Sequence, residues 1–518
     1  MASSPSDKTD LPTTVRFGFW LGLIGGLLIV GLAGIVPRPE GLSIPAVRLV
    51  GVTFVVGVWW VTEALPLGAT ALLPAALFPL LDIATAESVS QAYMSPFIMV
   101  LLGGFLLALA VERSAVHRRL ALHVLLGVGT SPRRLVLGFG VAAALLSMWI
   151  SNTATTLIMM PIALAIADRA RLTAPEHAAA FASAVLLGTA YCASVGGMGT
   201  PVGTPPNLMA LGAMATAFPD RPTPTFITWV AWALPVVIVL VPVIWLILTR
   251  VYPKVPRDLH LGAGEVLRRD LKALGAWSRP EQLSIAVFGL AAVLWVTRPD
   301  LDLGVDCWIR DLGAWLGIEG LSGADACMIR GWASHLELKG VHDGTIAILM
   351  ACVAFILPSG LGDGTRLLPW ETALRVPWGL VLLFGGGVSL SKGFDATGLS
   401  AFLGQELARI AGDSPLLFAG ISTLAAILGT EIISNTALAN IAMPILAATA
   451  QAVGQNPELL MIPVALACSC AFMLPAATGP NAIVFGTDRI RIGQMARVGL
   501  LVNVAAWVVL FGYILLRQ

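Results

Sequence analysis

Ile150-Ser151-Asn152-Thr153-Ala154 and, 283 positions later, Ile433-Ser434-Asn435-Thr436-Ala437 are the two stretches on which the reading of this chain turns. Each interrupts a long apolar run with three neutral polar side chains. Each is followed by Met-Pro-Ile, with Pro161 and Pro444 eight residues beyond the threonine. Leu101-Leu102-Gly103-Gly104 answers to Leu383-Phe384-Gly385-Gly386 at an offset of 282, and Thr204-Pro205-Pro206-Asn207 answers to Thr478-Gly479-Pro480-Asn481 at an offset of 274. Three matches in one order at nearly one offset mark an internal repeat of two related halves.

Composition says what solvent those halves live in. Of 518 residues, 57% are apolar and 12% charged, against roughly a quarter charged in soluble domains, and the mean hydropathy is +0.86. An ordinary water-soluble enzyme is excluded. A net charge of +1 with no polybasic block excludes the electrostatic footprint of a nucleic-acid binder. The cysteines (192, 307, 327, 352, 468, 470) and histidines (117, 123, 177, 260, 335, 342) have no metal-ligand spacing and form no HExxH, so neither a metal centre nor a haem is expected. The many glycines and prolines suit membrane helices that pack closely or break.

Apolar runs able to cross ~30 Å of hydrocarbon fall at 17–36, 47–63, 66–82, 95–111, 225–249, 281–297, 344–358, 377–391 and 498–516. Four more, 135–167, 178–215, 416–453 and 457–486, are too long for one span and carry Ser, Asn, Thr, Gly or Pro near the middle. Basic residues set the sidedness. Lys8 and Arg16 place the start of the first span in the cytoplasm. Arg113, Arg118, Arg119, Arg133 and Arg134 precede 135–167 on the inner face, and Arg169 and Arg171 follow it. Basic flanks at both ends predict a re-entrant hairpin, with two arms of about 16 residues, ~24 Å each, too short to cross comfortably. Seven Lys/Arg put 250–280 inside, with a surface helix at 261–275, whereas 298–343 has eight acids to four bases and lands outside. The alternation holds along the chain only if 135–167 and 416–453 are hairpins. They then open to opposite faces, so the repeat is inverted, and inverted repeats with broken helices are a transporter signature.

Backbone unwound at membrane depth is tolerated only inside protein or beside a wet cavity. Freed carbonyls, Asn amide oxygens and Ser/Thr hydroxyls are hard ligands for a small cation, while helix N-termini and Asn or Thr donors suit an anion. These segments are nearly free of charge: nothing ionisable lies between Arg134 and Asp168, and only Glu431 lies between Asp413 and Glu458. Co-bound cations must then neutralise the anion, which couples the two. Glu431 reads either as a direct ligand or as a surface or tip carboxylate. Lys392 reads as a snorkelling span end, and the glycines at 103–104 and 385–387 as close helix packing. In the outer segment, Cys307 and Cys327 read as a disulfide or as two free thiols.

On these motifs, together with Gly196-Gly197-Met198-Gly199-Thr200 and Cys470-Ala471-Phe472-Met473-Leu474-Pro475, the chain resembles the divalent anion:sodium symporter family of dicarboxylate, citrate and sulfate carriers across residues 45–516. The resemblance implies one sodium at Ser147, Ser151, Asn152 and the Gly203 backbone, and another at Thr430, the Ile433 backbone, Asn435 and the Ala477 backbone. It implies a substrate held by Ser151, Asn152, Thr153, Thr204, Ser434, Asn435, Thr436, Thr478 and Gly479. Gly479 departs from the pattern, standing where the family usually has proline, and the insertion 298–343 is longer than the family leads one to expect.

The expectation is an all-α polytopic membrane protein of about 11 transmembrane helices plus two re-entrant hairpins in two inverted repeats, working as an elevator. Its parts are a disordered cytoplasmic N-terminus 1–16, a first helix and loop 17–44, a first repeat 45–250 (hairpin 133–168, broken helix 178–216), a cytoplasmic linker 251–280, and a second repeat 281–518 (insertion 298–343, hairpin 414–453, broken helix 457–486). The expected activity is sodium-coupled symport of a C4-dicarboxylate such as succinate, fumarate or malate. Sodium is the coupling ion and no other cofactor is expected; the protein is expected to be a homodimer in a bacterial inner membrane, its C-terminus outside. Rivals are a dicarboxylate exchanger or a sulfate or tricarboxylate symporter of the same fold, an anion channel, and, weakest, a membrane enzyme.

Overall fold

A computed structural model describes residues 13–39, 42–252, 255–256, 262–302, 328–338, 340–361, 364–403, 406 and 414–517. The expectations for residues 1–12, and for Cys307 and Cys327, lie outside the described residues. The chain is helical almost throughout. Among the described residues nine helices are long and apolar enough to cross a membrane, and the exposed apolar side chains of Thr13–Leu32 (Phe17, Trp20, Ile24, Leu27, Leu28) suit lipid and not water. The protein is an integral membrane protein. Thr13–Leu32 buries only its glycines. A Cβ added at Gly18, Gly22 or Gly26 would lie 2.2, 2.5 or 2.1 Å from Thr62, Trp59 or Val55 of the next helix, Ile44–Thr62. Small residues four apart let two membrane helices close to backbone distance.

Two hairpins and two broken helices form as the repeat requires. Pro132–Ser147 and Asn152–Thr173 are joined by four residues, and Pro415–Gly429 and Asn435–Val453 by five. Pro132 and Pro415 each take the first helical position, where a missing N–H costs nothing. Equal 16-residue arms are not what forms: the second arms have 22 and 19 residues and could each cross alone. They run on because nothing breaks them, and Pro161 and Pro444 are accommodated within the helix. The broken helices are Pro175–Gly197 with Pro205–Ala217, and Pro457–Ala467 with Gly479–Phe485.

The single span expected at 66–82 is instead two short helices, Leu67–Thr70 and Leu73–Leu80. Pro66 and Pro74 each open a new helix at its start, and the carbonyl freed at Ala71 accepts the Tyr93 hydroxyl. The Gly-Gly helices are Pro96–Ser114 and Trp378–Thr397, and elements of the opposite half cover them. Asp343–Ile356 packs along the first, with Gly103 against Ala347; Leu67–Thr70 and Ala86–Tyr93 pack on the second, with Gly385 against Tyr93.

The linker helix, Ala263–Ala273, is followed by a buried ion pair in which Arg119 Nε donates to Glu281 Oε1 at 2.8 Å while Nη1 donates to the Gly275 carbonyl. In the insertion, Leu301–Asp302 pairs antiparallel with Met328–Ile329. Asp300 beside it accepts the Gly331 N–H at 2.7 Å, which holds its carboxyl below the usual range.

Candidate functional site

The first tip is tied together by its own short side chains. Ser147 Oγ donates to Asn152 Oδ1 at 2.7 Å, five residues on, and Ser151 Oγ caps the second arm by accepting the Ala154 N–H at 3.2 Å. In the second tip Thr430 Oγ1 lies 2.7 Å from Asn435 Oδ1, again five residues on, and 2.7 Å from the Cys468 carbonyl. The breaks match in the same way. Asn207 Nδ2 donates to the carbonyls of Gly197 and Thr200 at 2.9 and 2.7 Å. Asn481 Nδ2 donates to those of Ala471 and Leu474, each at 3.0 Å and each 274 positions later. In both asparagines Oδ1 is buried without a hydrogen-bond partner. The repeat read from the sequence is thus a repeat of hydrogen bonds.

Between the tips lies a cavity of 210 Å³. All nine residues expected to hold substrate line it: Ser151, Asn152, Thr153 and Thr204 from the first half, and Ser434, Asn435, Thr436, Thr478 and Gly479 from the second. Of the positions expected to bind sodium, Ser151, Asn152, Gly203, Asn435 and Ala477 are also in the wall. Ser147 and Thr430 stand behind it, fully buried and reaching it through their asparagines. Ile433 is not in the wall; its N–H is bonded to the Gly429 carbonyl and its side chain packs in the smaller apolar cluster.

The electrostatics follow from where helices begin and end. The helices starting at Asn152, Pro205, Asn435 and Gly479 all start at the cavity wall. Their positive dipole ends favour an anion, and Asn152, Thr153, Asn435, Thr436 and Gly479 add backbone N–H groups there, whereas Pro205, Pro206 and Pro480 have none. The preceding helices end just behind, at Ser147, Gly197, Gly429 and Ala467, and their negative dipole ends favour a cation. Among the described residues no ionisable side chain lines the cavity. The arrangement can hold an anion beside cations but contributes no fixed positive charge.

Two residues that matter here escaped the sequence reading. Phe105 and Leu380, from the two Gly-Gly helices, close the cavity with apolar surface. Apolar residues in a span give no sign of facing a cavity. Glu431, expected as a direct ligand or as a surface or tip carboxylate, stands in the tip between the two arms of the second hairpin. It is neither a surface group nor in the cavity wall: it is 6% exposed and accepts the N–H groups of Phe472, Met473 and Leu474 at 2.7, 2.9 and 3.1 Å, and the Asn503 amide at 2.8 Å. It holds the second break in place from behind. The equivalent position in the first tip, 283 residues earlier, is Met148, whose carbonyl accepts the Thr200 hydroxyl. One half clamps its break with a carboxylate, the other with a backbone carbonyl.

Known proteins share this organisation. Residues 19–516 match the family described as sodium:sulfate symporter transmembrane region. Over 499 residues the chain is 38% identical to the sodium-dependent dicarboxylate transporter SdcS of Staphylococcus saprophyticus, covering 95% of this chain and 90% of that protein. It is 37% identical over 501 residues to SdcS of Staphylococcus aureus, with the same coverage. Among solved structures, the YdaH transporter of Alcanivorax borkumensis aligns with a TM-score of 0.55 at 15% identity over 97% of this chain and 98% of that one. MtrF of Neisseria gonorrhoeae aligns with a TM-score of 0.57 at 12% identity over 98% and 95%. Those two likenesses are of fold alone.

Proposed function

The chain belongs to the sodium:sulfate symporter family of membrane transporters and is not an enzyme, and from that membership and the chemistry of the cavity we propose that it is a secondary active transporter coupling sodium entry to uptake of a C4-dicarboxylate such as succinate, fumarate or malate. The observation that carries this reading is the uncharged cavity set between four helix starts and four helix ends. A dianion in such a place needs mobile counter-charge, because a buried unpaired charge costs ~2.5 kcal/mol or more at membrane depth. Sodium at the Ser147–Asn152 and Thr430–Asn435 pairs would supply it. Mirrored tips suit a substrate with a carboxylate at each end, and the relatives named as sodium-dependent dicarboxylate transporters support both ions. The two hairpins and broken helices would move together as an elevator past the Gly-Gly helices, with the protein a homodimer in a bacterial inner membrane.

Sodium-driven uptake of labelled succinate into proteoliposomes tests this. Accumulation against a gradient with sodium, and not with lithium or protons alone, competed by fumarate and malate, is the expected result. Competition by sulfate alone would favour the substrate in the family's description. Counterflow without sodium would make the protein an exchanger, and non-saturating, non-accumulating flux a channel.

Sidedness has its own test. With native cysteines replaced, Arg269→Cys on the linker helix should react with a membrane-impermeant maleimide only from the cytoplasm. His335→Cys in the insertion should react only from outside. Both side chains are exposed. Reversed labelling would overturn the orientation and the inverted repeat with it.

A further inference from the structure

Across the two broken loops the cavity wall differs at two matched positions, Gly203 against Ala477 and Pro205 against Gly479, and the second carries the larger consequence. The first loop enters its helix as Thr204-Pro205 and the second as Thr478-Gly479, so the first helical residue is proline in one half and glycine in the other. The backbone does not demand this glycine, which is absent from the positive-φ positions, and a first helical position accepts proline readily. A close contact demands it. A Cβ on residue 479 would lie 2.3 Å from Thr153 Oγ1 and 3.0 Å from its Cγ2. Thr153 belongs to the tip of the opposite half, so Gly479 is where the two halves of the site touch. The consequence is an uneven cavity. Thr436, the counterpart of Thr153, is 8% exposed, whereas Thr153 stands open.

We propose that Gly479 sets the length of dianion the site accepts: its missing side chain lets Thr153 lie back against the second loop and leaves that end of the cavity open to a diacid one methylene longer than the C4 compounds. The inference rests on the dicarboxylate reading above. A Cβ at 479 forces Thr153 to turn. Because threonine is β-branched, rotating the hydroxyl away leaves the branched side chain crowded against the same Cβ or drives it into the cavity. One methylene of misfit is worth about 10–200-fold in discrimination.

The test compares kcat/KM for sodium-driven uptake of labelled succinate and glutarate by the wild type, Gly479→Ala, Gly479→Pro and the double variant Gly479→Ala/Thr153→Ser, all in proteoliposomes. The wild type is expected to take up both, glutarate within about tenfold of succinate. Gly479→Ala should lower the glutarate-to-succinate ratio by about tenfold, and Gly479→Pro by more. The serine variant should restore the ratio, since serine has no β-methyl and can turn its hydroxyl freely. Should Gly479→Pro fail to fold, the alanine variant carries the result. Exclusion of glutarate by the wild type would overturn the proposal. So would an equal fall for both substrates without rescue by serine, the signature of a purely structural role. A wild type that takes up neither diacid would instead overturn the dicarboxylate reading, and would show as loss of both signals and not as a changed ratio.

Discussion

Asn152→Ala and Asn435→Ala are each expected to bring sodium-driven dicarboxylate uptake to background while leaving the size-exclusion profile of the detergent-solubilised protein unchanged. Each asparagine stands at the first position of a helix in the cavity wall, with Oδ1 bound at 2.7 Å by a hydroxyl five residues earlier. From there its Oδ1 is placed to serve a cation and its amide or backbone N–H an anion. A hydrogen bond to a charged group is worth about 1.5–3 kcal/mol. Losing one to each ion removes roughly 3–6 kcal/mol, or about 100-fold or more in kcat/KM. The fold should survive because neither side chain ties distant elements together; its protein partner is a neighbour on the same tip. Full uptake by both variants would refute the site.

Glu431 is the opposite case, a residue whose loss should damage structure and transport together. Glu431→Ala leaves three backbone N–H groups and the Asn503 amide without their acceptor. Buried donors left unpaired cost about 1–3 kcal/mol each, so the second break should come apart and uptake should vanish with a clear drop in melting temperature. Glu431→Gln retains one acceptor oxygen and should fold, but the gain in melting temperature expected on adding sodium should be smaller than in the wild type. Ligand stabilisation reports how well the native site binds, and the Thr430 hydroxyl and Cys468 carbonyl beside it depend on the position of that break. Wild-type melting and uptake in Glu431→Ala would show that the carboxylate clamps nothing of consequence.

These two cases mark what could be read from the chain and what could not. The asparagines were legible because polar residues in the middle of an apolar run have no reason to be there unless something polar meets them, and because the same fragment occurs twice. The breaks were legible from Gly and Pro in the same way. The role of Glu431 was not: its partners lie 41 to 43 residues away in the unwound second break, and only the three-dimensional path of that break brings their N–H groups to one carboxylate. Phe105 and Leu380 look like any other lipid-facing residue until the tips are seen opposite them. The split at Ala71–Leu72 did leave a trace, Pro66 and Pro74, but mean hydropathy over 66–82 hides it. The unequal hairpin arms left none, because helix length in a membrane protein is set by where the next element stops it.

The way each Gly-Gly helix is covered by the opposite half bears on how the chain is made. Synthesis delivers Pro96–Ser114 to the bilayer some 230 residues before Asp343–Ile356 arrives to cover it. Thr153 likewise waits for residue 479. During translation the first half is therefore an unfinished object with a polar tip and a bare glycine seam, and stopping the ribosome between the halves should yield a quality-control substrate. Two separately expressed halves, cut at the linker, should by the same logic be stable only when made together.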